Sequence, residues 1–216
     1  MKEKTYFLDE KEVQKIDAHY TKYFELAGAV KDDLILHEVE SDGMHIDLVH
    51  FFPSDKFPYH IYATIGMSAY PMPQSTFKNM ELIMLLPREW KTSMDDLKEN
   101  KWWWPLKTLK DAARLPYWSD SFLDFTHTFS IDSGRTPFDE TTKMCAALIT
   151  LPECFDFGFF ELKTGGFLSK KKINFFCVTA ITSDELDKIA EVGVQKFMEE
   201  ILLVDGKTDI VTRAER

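Results

Sequence analysis

Residues 80 to 86 read "MELIMLL" and stop at Pro87. A run so nearly apolar, of strand length and closed by a residue that cannot donate to a ladder, predicts a strand in the centre of a sheet, covered on both faces. Such a strand needs neighbours, and the sequence supplies them. "DLILHEVE" at 33–40, "HIDLVHFF" at 45–52 and "YHIYATIG" at 59–66 read as strands, separated by turn chemistry in "SDG" at 41–43 and "PSDKFP" at 53–58. In the second of them Ile46, Leu48 and Phe52 alternate with Asp47. "FLDFTHTFS" at 122–130 alternates throughout, which predicts a half-buried strand. Leu123, Phe125 and Phe129, with His127, face inward there, and Asp124, Thr126 and Thr128 face outward. "MCAALIT" at 144–150 and "INFFCVTAI" at 173–181 complete the sheet, and the glycine pair at 165 and 166 marks a turn.

Helical spacing supplies the covering layers. Val13, Ile16, Tyr20, Phe24 and Ala27 form one stripe over 9–27, with Gly28 as the stop. Residues 91–115 turn helical, with Pro105 suited to the first turn of a helix through "LKTLKDAAR" and Trp102, Trp103 and Trp104 at its entrance. Thr182 and Glu185 form a capping box, after which Leu186, Ile189, Gly193, Phe197 and Ile201 keep one stripe for about four turns. The expectation is an α+β fold: one domain over 1–204 with a mixed, largely antiparallel sheet flanked by N-terminal and C-terminal helices, and a polar, frayed tail over 205–216.

Charge and cysteine usage narrow the function. With 26 Lys and Arg against 36 Asp and Glu, the formal charge is −10, which repels phosphate backbones and anionic membranes and favours basic protein partners. Cys145, Cys154 and Cys177 are odd in number and lack CxxC spacing, which points to a reducing cytoplasm and away from a disulfide framework or zinc knuckle. No signal-peptide pattern opens the chain, and no run of about 18 apolar residues occurs.

Catalytic patterns do not assemble. The six histidines include no HxH or HExxH pair, Ser68 in "GMSAY" misses the G-x-S-x-G elbow, and "KTGGFLSKKK" at 163–172 lacks the ordered phosphate cradle. Cys145 lies among apolar residues, where burial makes a thiol inert. The expectation is no catalytic, metal-binding or cofactor-binding residue. Two rivals stay open: a small hydrolase or ligand-binding enzyme using His50 or His60 with a carboxylate such as Asp47 or Asp55, and a scaffold that only dimerises. Three adjacent tryptophans cannot all face inward, so Trp102 and Trp103 are candidates for partner contact.

The motifs also occur in a known order. "TIGMSAYPMP" at 64–73, "ELIMLLPREW" at 81–90, "WPLKTLKDAARLP" at 104–116, then "HTFS", "PFDETTKMCAALIT" and "INFFCVTAITSDELDKIAEVGVQKFMEE" resemble the suppressor-of-fused domain family in its bacterial branch, over about residues 30 to 202. The family's T-x-G-M-S loop followed by P-M stands here at Thr64–Ser68 and Pro71–Met72. The resemblance implies a non-enzymatic protein-binding domain, and for a bacterial member an immunity protein that neutralises a toxin domain by direct binding. The expected contact surface is the strand carrying Asp124, Thr126 and Thr128, an accessible sheet edge, together with Trp102 and Trp103.

Overall fold

The computed structural model describes residues 5–37, 43–130, 132–164, 171–200, 202–204 and 207–213. The glycine pair at 165 and 166, most of the "KTGGFLSKKK" segment, Ser41 and Asp42 of the first turn, and Ile201 lie outside them. An eight-stranded sheet runs in the order β1-β2-β3-β4-β8-β6-β5. Its strands are β1 (Val30–Leu36), β2 (Asp47–Phe52), β3 (Tyr59–Ile65), β4 (Met80–Pro87), β5 (Thr128–Ser130), β6 (Met144–Thr150), β7 (Glu161–Thr164) and β8 (Lys171–Thr182). Among the described strands of this sheet, β4 and β8 pair in parallel and the other ladders are antiparallel. β7 and then β6 lie along the side of β8 that faces away from β4. β4 is central, and its seven residues before Pro87 are all buried.

Two faces of the sheet are covered differently. Helix α1 (Glu10–Ala27) starts where the Asp9 carboxylate accepts from the Glu12 N–H at 2.8 Å, and ends at Gly28, whose φ of +107° suits glycine. Ile16, Tyr20 and Phe24 of α1 pack on Phe51, Ile61, Ile83, Leu85 and Phe175. The opposite face is covered by α2 (Asn100–Trp118), through Trp104, Leu106, Leu109, Ala112 and Ala113 against Leu48, Tyr62, Leu82, Met84 and Leu86. Pro105 therefore sits in the second turn of α2 and not the first, because the helix begins at Asn100 and takes in the tryptophans.

The C-terminal helix departs from the sequence expectation. Thr182 and Glu185 do form the capping box, but the stripe breaks at Gly193, with φ +86°, into α3 (Ser183–Val192) and α4 (Val194–Glu200). Phe197, Met198 and Leu202 cover Cys145, Leu148 and Ile181 on the α1 side of the sheet. Gly193 lacks a side chain to hold helical dihedrals, so packing of α4 sets its geometry.

The strand expected over 122–130 is also shorter. Among the described residues the ladder with β6 spans Thr128–Ser130; before it the chain turns, with Thr126 at φ +70°. The Thr126 N–H donates to Ile149 at 2.9 Å, and the Ile149 N–H returns to His127. His127 lies partly exposed beside Phe122, at 5.2 Å between rings. Phe52, expected on an inward face, is 39% exposed where β2 ends.

The tail differs too. Ile210, Val211 and Thr212 are buried. Val211 bridges Leu85 of β4, Thr212 donates its N–H to Leu85 at 2.9 Å, and its hydroxyl accepts from the Ala180 N–H at 3.1 Å. Three residues of low charge fill a gap beside the central strands, and their backbone groups find partners there.

Candidate partner-binding surface

The loop at 64–73 is built around a carboxylate that the sequence reading passed over. Glu81, alone among the apolar residues of β4, is fully buried. Its Oε1 accepts from the N–H of Gly66 at 3.0 Å, the N–H of Ser68 at 3.0 Å and the Ser68 hydroxyl at 2.7 Å. Its Oε2 accepts from the Thr64 hydroxyl at 2.6 Å, and that hydroxyl oxygen accepts in turn from the Leu82 N–H. Burial raises the Glu81 pKa, and the donors from Thr64, Ser68 and Gly66 oppose that shift. Gly66, at φ +136°, passes so close to the His45 carbonyl that a Cβ would stand 2.0 Å from its oxygen. Met67 and Met72 go into the core. The loop is a clamp fastened to the central strand, and a lone carboxylate in an apolar strand was the signal that could have shown it.

The histidines that the enzyme reading singled out are structural members of the sheet. His50 Nδ1 lies 2.8 Å from Asp32, His50 Nε2 lies 2.9 Å from His60 Nδ1, and His60 Nε2 lies 3.2 Å from the Arg88 carbonyl. The expected partners are elsewhere. Asp47 is engaged by His37 at 3.2 Å and His45 at 3.0 Å, and Asp55 reaches Arg88 at the surface. Asp32 reaches His50 because β1 bulges between Lys31 and Ile35. His50 is 4% exposed and stacks on Tyr62 at 4.3 Å. Burial lowers its pKa to about 4 against the opposing pull of Asp32, and burial likewise lowers that of His60. Among the described residues no cluster of three His, Cys, Asp or Glu side chains could hold a metal, and no helix is long and apolar enough to cross a membrane.

The three tryptophans diverge because a helix rotates each neighbour by about 100°. Trp104 turns into the core and stacks on Phe138 at 5.4 Å. Trp102 and Trp103 are half-buried. Trp102 packs edge-on against Trp90 at 5.3 Å, whose indole N–H donates to the Trp102 carbonyl. The two rings line an open groove of about 600 Å³ with Pro87, Lys101 and Arg213. A second groove, of about 460 Å³, continues past Lys101 and Thr141 to Glu99, Asp139 and Glu140. Trp103 lines a separate groove on the other side of α2. Sequence reasoning missed Trp90 and Arg213, which reach this surface from a distant strand end and from the tail.

Among the candidates on the β5 side, Thr128 is exposed on the last strand of the sheet, whereas Asp124 and Thr126 are half-buried. Asp124 Oδ2 accepts from the Thr76 N–H at 3.0 Å, which ties the turn to the 74–77 loop. The edge and the tryptophan grooves are not brought together into one patch: β5 sits at one end of the strand order, while Trp90 follows β4 in its middle.

An open mixed sheet between helical layers, with a loop clamped to its central strand, defines an α+β domain whose potential contact surfaces lie at a sheet edge and along one helix. The family follows from comparison. The model of the suppressor of fused protein (SUFU) family matches residues 42–216, and this chain belongs to that family. The matched region includes the tail that the sequence reading set apart. A search of curated proteins returned no match. Among solved structures, a SUFU homologue from Neisseria gonorrhoeae superposes with a TM-score of 0.63 at 17% identity, covering 95% of this chain and 97% of the other. The Sufu–Fu complex matches at 0.62 and 16% identity, covering 94% and 89%. Drosophila Suppressor of Fused matches at 0.60 and 16% identity over 96% of this chain, which spans 52% of that protein's length.

Proposed function

We propose that this protein is a non-enzymatic binding domain that acts as an immunity protein in the cytoplasm, neutralising a toxin domain by direct contact. The observation that carries the reading is the match to the suppressor-of-fused family over residues 42–216, with a solved relative in complex, Sufu with Fu. Charge adds direction. A formal charge of −10 favours a basic partner and speeds encounter with it at low salt. Glu99, Asp139 and Glu140 place carboxylates along a groove that continues to Trp90 and Trp102, a pairing suited to basic and apolar side chains. The sheet edge at exposed Thr128 is the second candidate contact.

The test is co-expression with the product of the adjacent reading frame. The proposal expects the pair to co-purify, the toxin's growth arrest to be relieved, and a Trp102→Ala, Glu140→Lys variant that still folds to lose both effects. Relief of growth arrest without a stable complex would sink direct binding. Edge contact is tested at Thr128→Pro, because proline at 126 would meet both a positive φ and the loss of the bond to Ile149.

A further inference from the structure

Trp103 stands over a groove of about 390 Å³ that differs in character from the one beside Trp102. Its floor is apolar, made by Leu36, Leu97, Met94 and the Trp103 ring, and its remaining lining is Lys98, Lys110 and His37. Among the described residues no carboxylate lines it, in a chain where acids outnumber bases by ten. Met94 is 56% exposed there. A flexible thioether beside a broad indole is a surface that adapts to apolar side chains of varied shape.

Lys110 is the residue that asks for a partner. It sits half-buried on α2 and makes no ion pair within 4.0 Å among the described residues. Burial lowers its pKa, and Asp47 partly opposes the shift from a distance. Asp47 is already engaged by His37 and His45. Lys98 is held by Asp95 at 2.7 Å, an exposed pair of little strength that an incoming anion can displace. Much of the Lys110 ammonium's desolvation has thus been incurred in the free protein, so a carboxylate bound beside it would gain more than at a fully hydrated lysine.

We propose that this groove docks an extended segment of a partner protein that carries a bulky apolar side chain next to a carboxylate. The apolar group lies on Trp103, Leu97 and Met94, and the carboxylate reaches Lys110. Charge complementarity selects this occupant over a basic segment, and the groove's open form suits a chain passing through it better than an enclosed small molecule. The mouth lies where β1, the outermost strand, ends at Leu36 and His37. The inference does not rest on the toxin reading, and its charge preference is opposite to that of the groove beside Trp102.

Two fluorescein-labelled octapeptide libraries decide it, each with two fixed apolar positions, one flanked by Asp and Glu and the other by Lys and Arg. The acidic library should bind the full chain at least about tenfold more tightly, and Trp103→Ala or Lys110→Met should each weaken it by about tenfold. Lys110→Glu should shift preference toward the basic library. Thermal melts confirm that each variant folds. Equal binding of both libraries overturns the proposal, as does acidic binding that Lys110→Met leaves intact. Saturable binding of dodecanoate in the absence of peptide binding would assign the groove to an anionic amphiphile. A dimer in sedimentation equilibrium that Trp103→Ala dissolves would assign it to a second copy.

Discussion

Glu81 shows how one buried charge-bearing group organises a loop. Its Oε1 takes three donors and its Oε2 accepts from the Thr64 hydroxyl, so four hydrogen bonds offset part of the cost of burying the carboxyl group. A raised folded pKa means that this group's stabilisation is complete below its unfolded pKa and is lost as pH rises through the folded value. Glu81→Gln removes the titrating carboxyl group and should show a weaker decline in melting temperature as pH rises. Glu81→Ala strands the N–H groups of Gly66 and Ser68 and should cost about 3 kcal/mol. Melting curves from pH 4 to 8 check both, and a glutamine variant that declines with pH as steeply as the parent would refute the raised pKa. His50 has the opposite sign. Its lowered pKa leaves stability intact above the ordinary histidine value of 6.5 and removes it as pH falls toward about 4. Replacing His50 with Gln should flatten that acid limb, measured as the change in melting temperature between pH 7 and 4.5.

At the scale of elements, the broken C-terminal helix gives the sharpest test. Phe197 is wholly buried against the β6 and β8 side chains, so Phe197→Ala should destabilise by about 3 to 5 kcal/mol. An unchanged melting temperature would take α4 out of the core. Gly193 holds φ +86° with open space around a would-be Cβ, so alanine there should cost about 1 kcal/mol through backbone strain alone. The capping box at Thr182 and Glu185 was legible in the sequence because its bonds are local. The break was not, because the apolar stripe continues across Gly193 and only the fit of α4 against the sheet separates the two helices.

For the whole molecule, the tail and the sheet act as one unit. Deleting residues 209–216 uncovers Leu85 and Ala180 and removes the buried Ile210 and Val211. The truncated chain should lose several kcal/mol, about 1.5 to 3 for each large side chain, with lower denaturant midpoint as the readout. A truncation that leaves the midpoint in place would show that the bridge from Val211 to Leu85 carries no stability.

Sequence alone determined the features that follow from neighbours along the chain. Strand runs, the C-terminal glycine of α1, the capping box, the central place of "MELIMLL" and the order of family motifs all rest on short-range patterns of apolarity, turn chemistry and hydrogen bonding. Tertiary structure alone decided what depends on residues far apart. It joined Glu81 to the 64–68 loop and Asp32 to His50, placed Val211 beside Leu85, and turned the 122–125 segment out of the sheet. It also split three adjacent tryptophans among a core and two grooves. Each of these depends on which surfaces meet across the sheet. A pattern of period 2 or 3.6 reports that a side chain is inward and carries no information about which distant group it will touch.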